Sequence, residues 1–335
     1  MNEVHLVIRS AGERTASVCK RLAQLQGIRD KDITVVREVP FEAALRATYL
    51  TGLNAGKKWT ATLDADVLLA EDSIAALLWD AEQMPSSYAQ IEGRIFDKVT
   101  GIYRQAGHRI YRTSCLSFAL EKIPALGTEI RPEFFVLQQL GQSGSPSRRV
   151  ERLVGLHDFE QYYGDLYRKA LLHSKKHASF VPRFLERCAM HMHADLDFAV
   201  ILKGIQDGLL YSGSIAIDRR QFSDSVVGSA LSELDLKEKR EITDEAAFVE
   251  GFASMFRLIR AQYPVPEFAP CDDPGGHQTL LGLAARKFGE TQKSLRSEED
   301  VSSNQYVGAA SRLRNLYSTA ISVLTFTMRR FKHLE

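Results

Sequence analysis

Asp64 and Asp66, one residue apart, close the apolar run at residues 59–63. A strand over that run, followed by a helix in residues 71–78, puts the pair at the carboxyl end of a parallel strand, where open α/β sheets bind ligands. Carboxylate oxygens there suit a hard divalent cation, Mn²⁺ or Mg²⁺, shared with the phosphates of a substrate. In extended backbone alternate residues point to the same side, so one aspartate can bind metal while the other reaches metal-bound water or a ribose. Most isolated Asp-x-Asp triplets are solvated turns, so the surrounding elements decide its meaning.

Those elements belong to an ordinary globular chain. Its 335 residues are 44% hydrophobic and 25% charged, which excludes disorder and allows two domains or one with a helical annex. Forty-three basic against 42 acidic residues provide no global field for nucleic acid, so basic surface must be local. Cys19, Cys115, Cys188 and Cys271 contain no C-x-x-C, arguing against a zinc ribbon or disulfide framework and for a reducing, cytoplasmic setting. The N-terminus lacks the pattern of a secretion signal, and no apolar run is long enough to span a bilayer.

Residues 4–9 read as a buried strand, 10–15 as a turn opening a helix to about residue 26, 32–37 as a second strand, and 40–52 as a helix begun by Pro40. With the 59–63 strand this gives three strand-to-helix alternations, hence a parallel, right-handed, nucleotide-binding arrangement. Neither G-x-G-x-x-G nor G-x-x-x-x-G-K-[ST] occurs. Residues 88–97 and 107–112 alternate as antiparallel or edge strands do, joined loosely through 99–101. Residues 141–149 compose a flexible loop, and 150–158 a short last strand ending at His157.

An early strand ending in a polar loop, a second strand about 25 residues on, and an apolar strand closed by Asp-x-Asp within the first 70 residues resemble the GT-A glycosyltransferases. The resemblance covers the first half of the chain. It implies an α/β fold with a mostly parallel nucleotide-binding sheet and flanking helices; the helical spacing of apolar residues from 159 on, outside the resemblance, adds a largely α-helical C-terminal region. The resemblance implies metal at Asp64 and Asp66, completed by His157, and a donor nucleoside near Arg9, Ser10, Glu13, Glu38 and Asp64. An acidic residue at a later helix start would be the general base of an inverting member; Glu133 and Glu129 both qualify, though the helix dipole alone accounts for acids there. His108, Arg109 and Arg112 would lie on the acceptor side, unless they are outward residues of an exposed strand. The implied activity is transfer of a sugar from a nucleoside-diphosphate donor to a hydroxyl of a glycan or lipid-linked acceptor, as in surface polysaccharide assembly, with no nucleic-acid partner.

Three regions are expected: a catalytic domain over 1–158, a helical region over 159–300, and a basic amphipathic helix over 301–335. In the last, Leu313, Leu316, Tyr317, Ala320, Leu324, Met328 and Phe331 recur at three and four between basic ends. Such a helix can dock on the protein, pair with another subunit, or lie on the inner face of an anionic membrane. Two alternatives stand beside the transferase: a metal-dependent phosphohydrolase using the His/Asp-rich tract 157–197, and a nucleotide- or glycan-binding scaffold without chemistry. Against the former, His173 and His177 are spaced to share a metal, but Lys175 and Lys176 lie between them and repel a cation.

Overall fold

The strands β1 (Val4–Arg9) and β3 (Trp59–Asp64) are buried almost throughout, which is why they read as apolar runs rather than alternating ones. The computed structural model describes residues 2–264. Between and after these strands come α1 (Ala16–Leu25), β2 (Ile33–Val36), α2 (Phe41–Ala55), β4 (Val67–Leu69), α3 (Ser73–Glu82), β5 (Gln90–Asp97), β6 (Tyr103–Arg104) and β7 (His108–Arg112). Then follow α4 (Leu116–Glu121), α5 (Pro132–Gln142) and β8 (Ser147–His157). The annex is α6 (Tyr163–Lys176), α7 (Val181–His191), α8 (Leu196–Leu210), α9 (Asp224–Glu233) and α10 (Glu245–Gln262).

One mixed sheet has the order β2-β1-β3-β7-β5-β8-β4, with β6 hydrogen-bonded to β5. β2, β1 and β3 are parallel, as are β5 and β8, while β7 and β4 run against their neighbours. This is the α/β fold expected, with most strands pointing one way and a helical region after the sheet. Helices α1, α3 and α10 share one apolar core with the sheet, while α2, α4 and α5 build another around Tyr111. Fully burying a side chain such as Leu6, Ile8 or Leu63 is worth roughly 1.5–3 kcal/mol, so the β1–β3 pair is a firm base for whatever its ends carry. Residues of α6–α9 form a third core centred on Leu166, Phe184 and Ile201. The annex returns to the sheet through α10, whose Phe252 and Ile259 join the first core.

Four expectations need correction. Asp64 ends β3, but Ala65 and Asp66 turn into β4 before α3 begins, so the two aspartates do not alternate along one extended strand. Of the two alternatives for residues 88–97 and 107–112, the antiparallel one holds, β5 pairing antiparallel with β7, while the edge placement does not, since β5 lies inside the sheet between β7 and β8. Residues 99–101 are no loose link: Asp97 accepts from the Thr100 amide and hydroxyl, and Lys98 N donates to the His157 carbonyl. β8 begins at Ser147, inside the stretch that composition marks as loop, and pairs with β5 along its length. No helix among the described residues is long and apolar enough to cross a membrane. The expected basic helix over 301–335 lies outside the described residues.

Candidate functional site

Parallel register places Arg9 directly opposite Asp64, so the carboxyl ends of β1 and β3 deliver a cation and an anion side by side. Arg9 Nε donates to Asp64 Oδ1 at 2.7 Å and Nη1 to Glu133 Oε1 at 2.9 Å. Glu133 sits in the first turn of α5, after Pro132, and is buried. It also accepts from Arg109 of β7 and from the Tyr111 hydroxyl, and Arg109 Nε lies 3.2 Å from Glu92. Burial alone would raise the Glu133 pKa; Arg109 and Arg9 overcome it and hold the carboxyl at about 2. As it stands, Glu133 is a poor proton acceptor and a good brace for two arginines. Asp64 behaves oppositely. Burial raises its pKa more than Arg9 lowers it, with Asp66 and Glu133 adding to the rise.

Three other strand ends converge beside this network. Val67 at the start of β4 is opposite His157 at the end of β8, and Asp97 at the end of β5 is opposite His157 too. Asp66, Asp97, His157 and Asp158 are therefore brought together by sheet register. Asp158 takes a left-handed conformation (φ 65°) and donates its amide to the Asp66 carbonyl. His157 Nδ1 is bonded to Asp97 Oδ2 at 2.9 Å, which orients the ring so that Nε2 lies 3.5 Å from Asp66 Oδ1. Asp97 is fixed in turn by Arg104. Lys169 of α6 reaches in to bond Asp66 Oδ2 at 2.5 Å and Asp158 Oδ1.

These residues suit a divalent cation. Ligand atoms of Asp66, His157 and Asp158 lie within 4.8 Å of one another and all three residues are buried. Asp66 Oδ1 and Asp158 Oδ2 are buried and face the His157 ring, at 3.5 Å from Nε2 and 3.1 Å from Nδ1, while Lys169 bonds the other oxygen of each carboxylate. Carboxylate oxygens beside an oriented imidazole are an oxygen-and-nitrogen set of the kind Mn²⁺ accepts. Burial would lower the His157 pKa, but Asp158 and Asp66 outweigh it and raise it to about 10. Burial likewise opposes the charge of Asp66, and Lys169 and His157 hold its pKa well down.

One cavity of about 370 Å³ opens onto both networks. It is lined by Arg9, Ser10, Glu13, Glu38, Asp64, Asp66, Arg109, Glu133 and His157, while Glu129, in the loop before α5, and His108 and Arg112 fall outside it. Ser10 Oγ and Ala11 N donate to Glu13 Oε2. Burial first, and then the nearby Asp66, raise the Glu13 pKa to about 7. The acceptor-side residues are placed differently from expectation. His108 is buried, takes the Gly93 amide on Nε2, and is kept neutral by burial, with its pKa lowered to about 4. Arg112 stacks over Trp59 and donates to backbone carbonyls, while Arg109 is occupied by Glu133 and Glu92.

The His/Asp-rich tract of the phosphohydrolase alternative does not assemble. Asp195 and Asp197 pair with Lys98, and His191 packs on Phe198, so among the described residues only His157 and Asp158 of that tract enter the converging group. Sequence reasoning missed Lys169 and Asp158 as neighbours of Asp66, and Asp97 as the partner of His157. One signal for Lys169 existed: it shares the α6 face of Leu166 and Ala170, where an unpaired ammonium would be costly.

No protein-family model matches the chain, and no curated protein matches it in sequence. Solved structures do overlap it. A mannosyltransferase from Pyrobaculum calidifontis, solved with GDP-Man and Mn²⁺, is 12% identical, with 85% of this chain and 86% of that one covered at a TM-score of 0.33. A glycosyltransferase involved in glycosylation of the major capsid of PBCV-1 is 11% identical over 46% of this chain and 92% of its own, at 0.34. A 4-diphosphocytidyl-2C-methyl-D-erythritol synthase from Anaerococcus prevotii is 11% identical over 44% and 88%, also at 0.34. The structural neighbours are thus GT-A-type glycosyltransferases and nucleotidyltransferases. With TM-scores below 0.5, the overlaps add no weight to a functional assignment, which rests on this chain's own residues.

Proposed function

We propose that this protein transfers a sugar from a nucleoside-diphosphate sugar to a hydroxyl of a glycan or lipid-linked acceptor. The observation that carries this is the buried group Asp66, His157 and Asp158, whose ligand atoms lie within 4.8 Å of one another, opening into a cavity whose walls also hold several cations. A pyrophosphate bridged to a divalent ion needs both halves of that arrangement. A divalent cation held by Asp66, His157 and Asp158 would stabilise negative charge developing on a leaving diphosphate. Asp97 keeps the His157 ring aimed, and Lys169 fixes both aspartates. Arg9, braced by Glu133 and Asp64, sets the floor of the cavity. Glu13, with its pKa near neutrality, has the proton affinity a general base needs, whereas Glu133 at about 2 does not.

A thermal-shift screen of nucleoside diphosphates and their sugars, with and without Mn²⁺, tests this directly. A ligand that binds only the folded state raises Tm, by about 2.7 kcal/mol of added stability at a hundred times its Kd. One base class is expected to stabilise the wild type in a Mn²⁺-dependent way. Asp66→Asn should remove that dependence and lower sugar transfer by about 10²–10³, the scale of losing one preorganised electrostatic contact. If no nucleoside diphosphate moves Tm, with or without metal, the assignment is wrong.

A further inference from the structure

A second group of charges lies farther along α6. Asp165, Lys169, His173 and Lys176 face the cavity at spacings of four, four and three, so they share one side of the helix. At 1.5 Å per residue, Lys176 is roughly 10 Å along the axis from Lys169, beyond the Asp66 group. Arg104 and Arg131 line the cavity there too. Arg104 is committed to Asp97, but neither Lys176 nor Arg131 forms an ion pair with a carboxylate among the described residues. The Arg131 guanidinium lies over the Phe134 ring, 4.5 Å from its centre. Burial, together with Arg131, Arg104 and Lys169, pushes the Lys176 pKa down to about 8. His173 adds a buried Nδ1 without a hydrogen-bond partner.

Unmatched cations in a lined cavity call for an anion. We propose that Lys176 and Arg131, with His173, bind the phosphate of a phosphorylated acceptor, at a place separate from the donor diphosphate. The proposal deepens the transferase assignment and rests on it. Two unpaired cations match the charge of a phosphomonoester, about −1.5 to −2 at neutral pH, where a carboxylate would balance one. About two helical turns of α6 set Lys176 apart from Lys169, which is bonded to Asp66, so a diphosphate at the Asp66 group and a second phosphate need not share the same cations.

The test is calorimetric titration of the full-length protein, with and without saturating nucleoside diphosphate and Mn²⁺. The probes are N-acetylglucosamine 1-phosphate and farnesyl phosphate, each beside its unphosphorylated counterpart, which separates a sugar phosphate from a lipid phosphate. One phosphorylated probe should bind at least about tenfold tighter than its counterpart, the scale of a charge-assisted contact. Lys176→Gln and Arg131→Gln should each weaken it about tenfold while changing nucleoside-diphosphate affinity by less than about twofold. Arg131 is exposed and Lys176 half-buried, so the Arg131 variant keeps the test open should Lys176→Gln fail to fold. Equal loss of nucleoside di- or triphosphate binding in the variants would assign these cations to the nucleotide and overturn the proposal. So would probe binding that ignores the phosphate or the substitutions. Failure of the wild type to bind any nucleotide, with phosphate-dependent probe binding intact, would instead sink the transferase assignment and leave the anion site standing.

Discussion

Glu133 stands at a helix start, where an acid is stabilised by the dipole, but its partners decide what it does. Two arginines share its carboxylate, and each keeps a second acid: Asp64 for Arg9 and Glu92 for Arg109. Removing one member of a buried charge network costs about 3–5 kcal/mol when the rest is left unpaired. Since both arginines retain a partner, Glu133→Gln should lower stability at pH 7 by about 3 kcal/mol, at the low end of that range. Its folded pKa, about 2, is depressed from the ordinary 4.5. The stabilisation is therefore fully present above pH 4.5 and is lost as pH falls from there toward 2. Urea unfolding of wild type and variant at pH 7 and at pH 3.5 should show the gap narrowing at the lower pH. A gap independent of pH would mean that the carboxylate charge is not what braces the site.

Between the residues and the whole stand the connections that bring strand ends together. Gly107, just before β7, has φ +68°, and its carbonyl accepts the Asp64 amide at 2.7 Å. A Cβ there would stand 2.5 Å from Val67 Cγ2, 3.4 Å from His157 Cδ2 and 3.5 Å from Asp64 Oδ2. The two branches of the site, Asp64 on β3 and His157 on β8, thus meet across a residue with no side chain. Gly107→Ala should cost about 1–3 kcal/mol from backbone strain, with a further penalty from the clash at Val67. Mn²⁺ affinity should fall with it, because Val67 must shift and Val67 is paired with His157 across β4 and β8. Unchanged Mn²⁺ affinity in a folded Gly107→Ala protein would separate the connection from the metal group.

At the scale of the molecule, α6 belongs to two structures at once. Tyr167, Ala170 and Leu171 pack into the annex core, Lys169 and Lys176 face the cavity, and Leu166 touches both. Its approach to α8 is close enough that a Cβ on Gly204 would lie 2.6 Å from the Tyr167 carbonyl. α10 then ties the annex back to α1 and the sheet. Sheet and annex should accordingly unfold together. Phe184→Ala, deep in the annex, should cost about 3–5 kcal/mol. The melting curve followed by tryptophan fluorescence, from Trp59 and Trp79 on the sheet side, should move with the one followed by far-UV circular dichroism. Two separated transitions would show the annex to be an independent unit.

How much of this was legible beforehand follows the range of each interaction. Periods of two and 3.6 are local, so the β1, β2, β3 and α2 segments could be read from residue types, and so could the ending of an apolar strand at Asp64. Pro40 marks the start of α2 because proline acts through its own backbone, whereas the helix runs past residue 52, where the sequence reading ends it, to Ala55 and a left-handed Gly56. Residues 147–149 were misread because Ser147, Arg148 and Arg149 have loop-like composition, while pairing with β5 makes them strand.

The sequence alone thus determined an α/β sheet ending in carboxylates, with Asp66 and His157 as plausible partners. Only the tertiary structure decided that Asp97 would orient that histidine, that Lys169 would bridge Asp66 to Asp158, and that arginines would hold Glu133 ionised. The His157–Asp97, Lys169–Asp66 and Arg9–Glu133 contacts join residues 60, 103 and 124 positions apart. Strand register and helix docking bring them together, and neither is set by any local pattern in the chain.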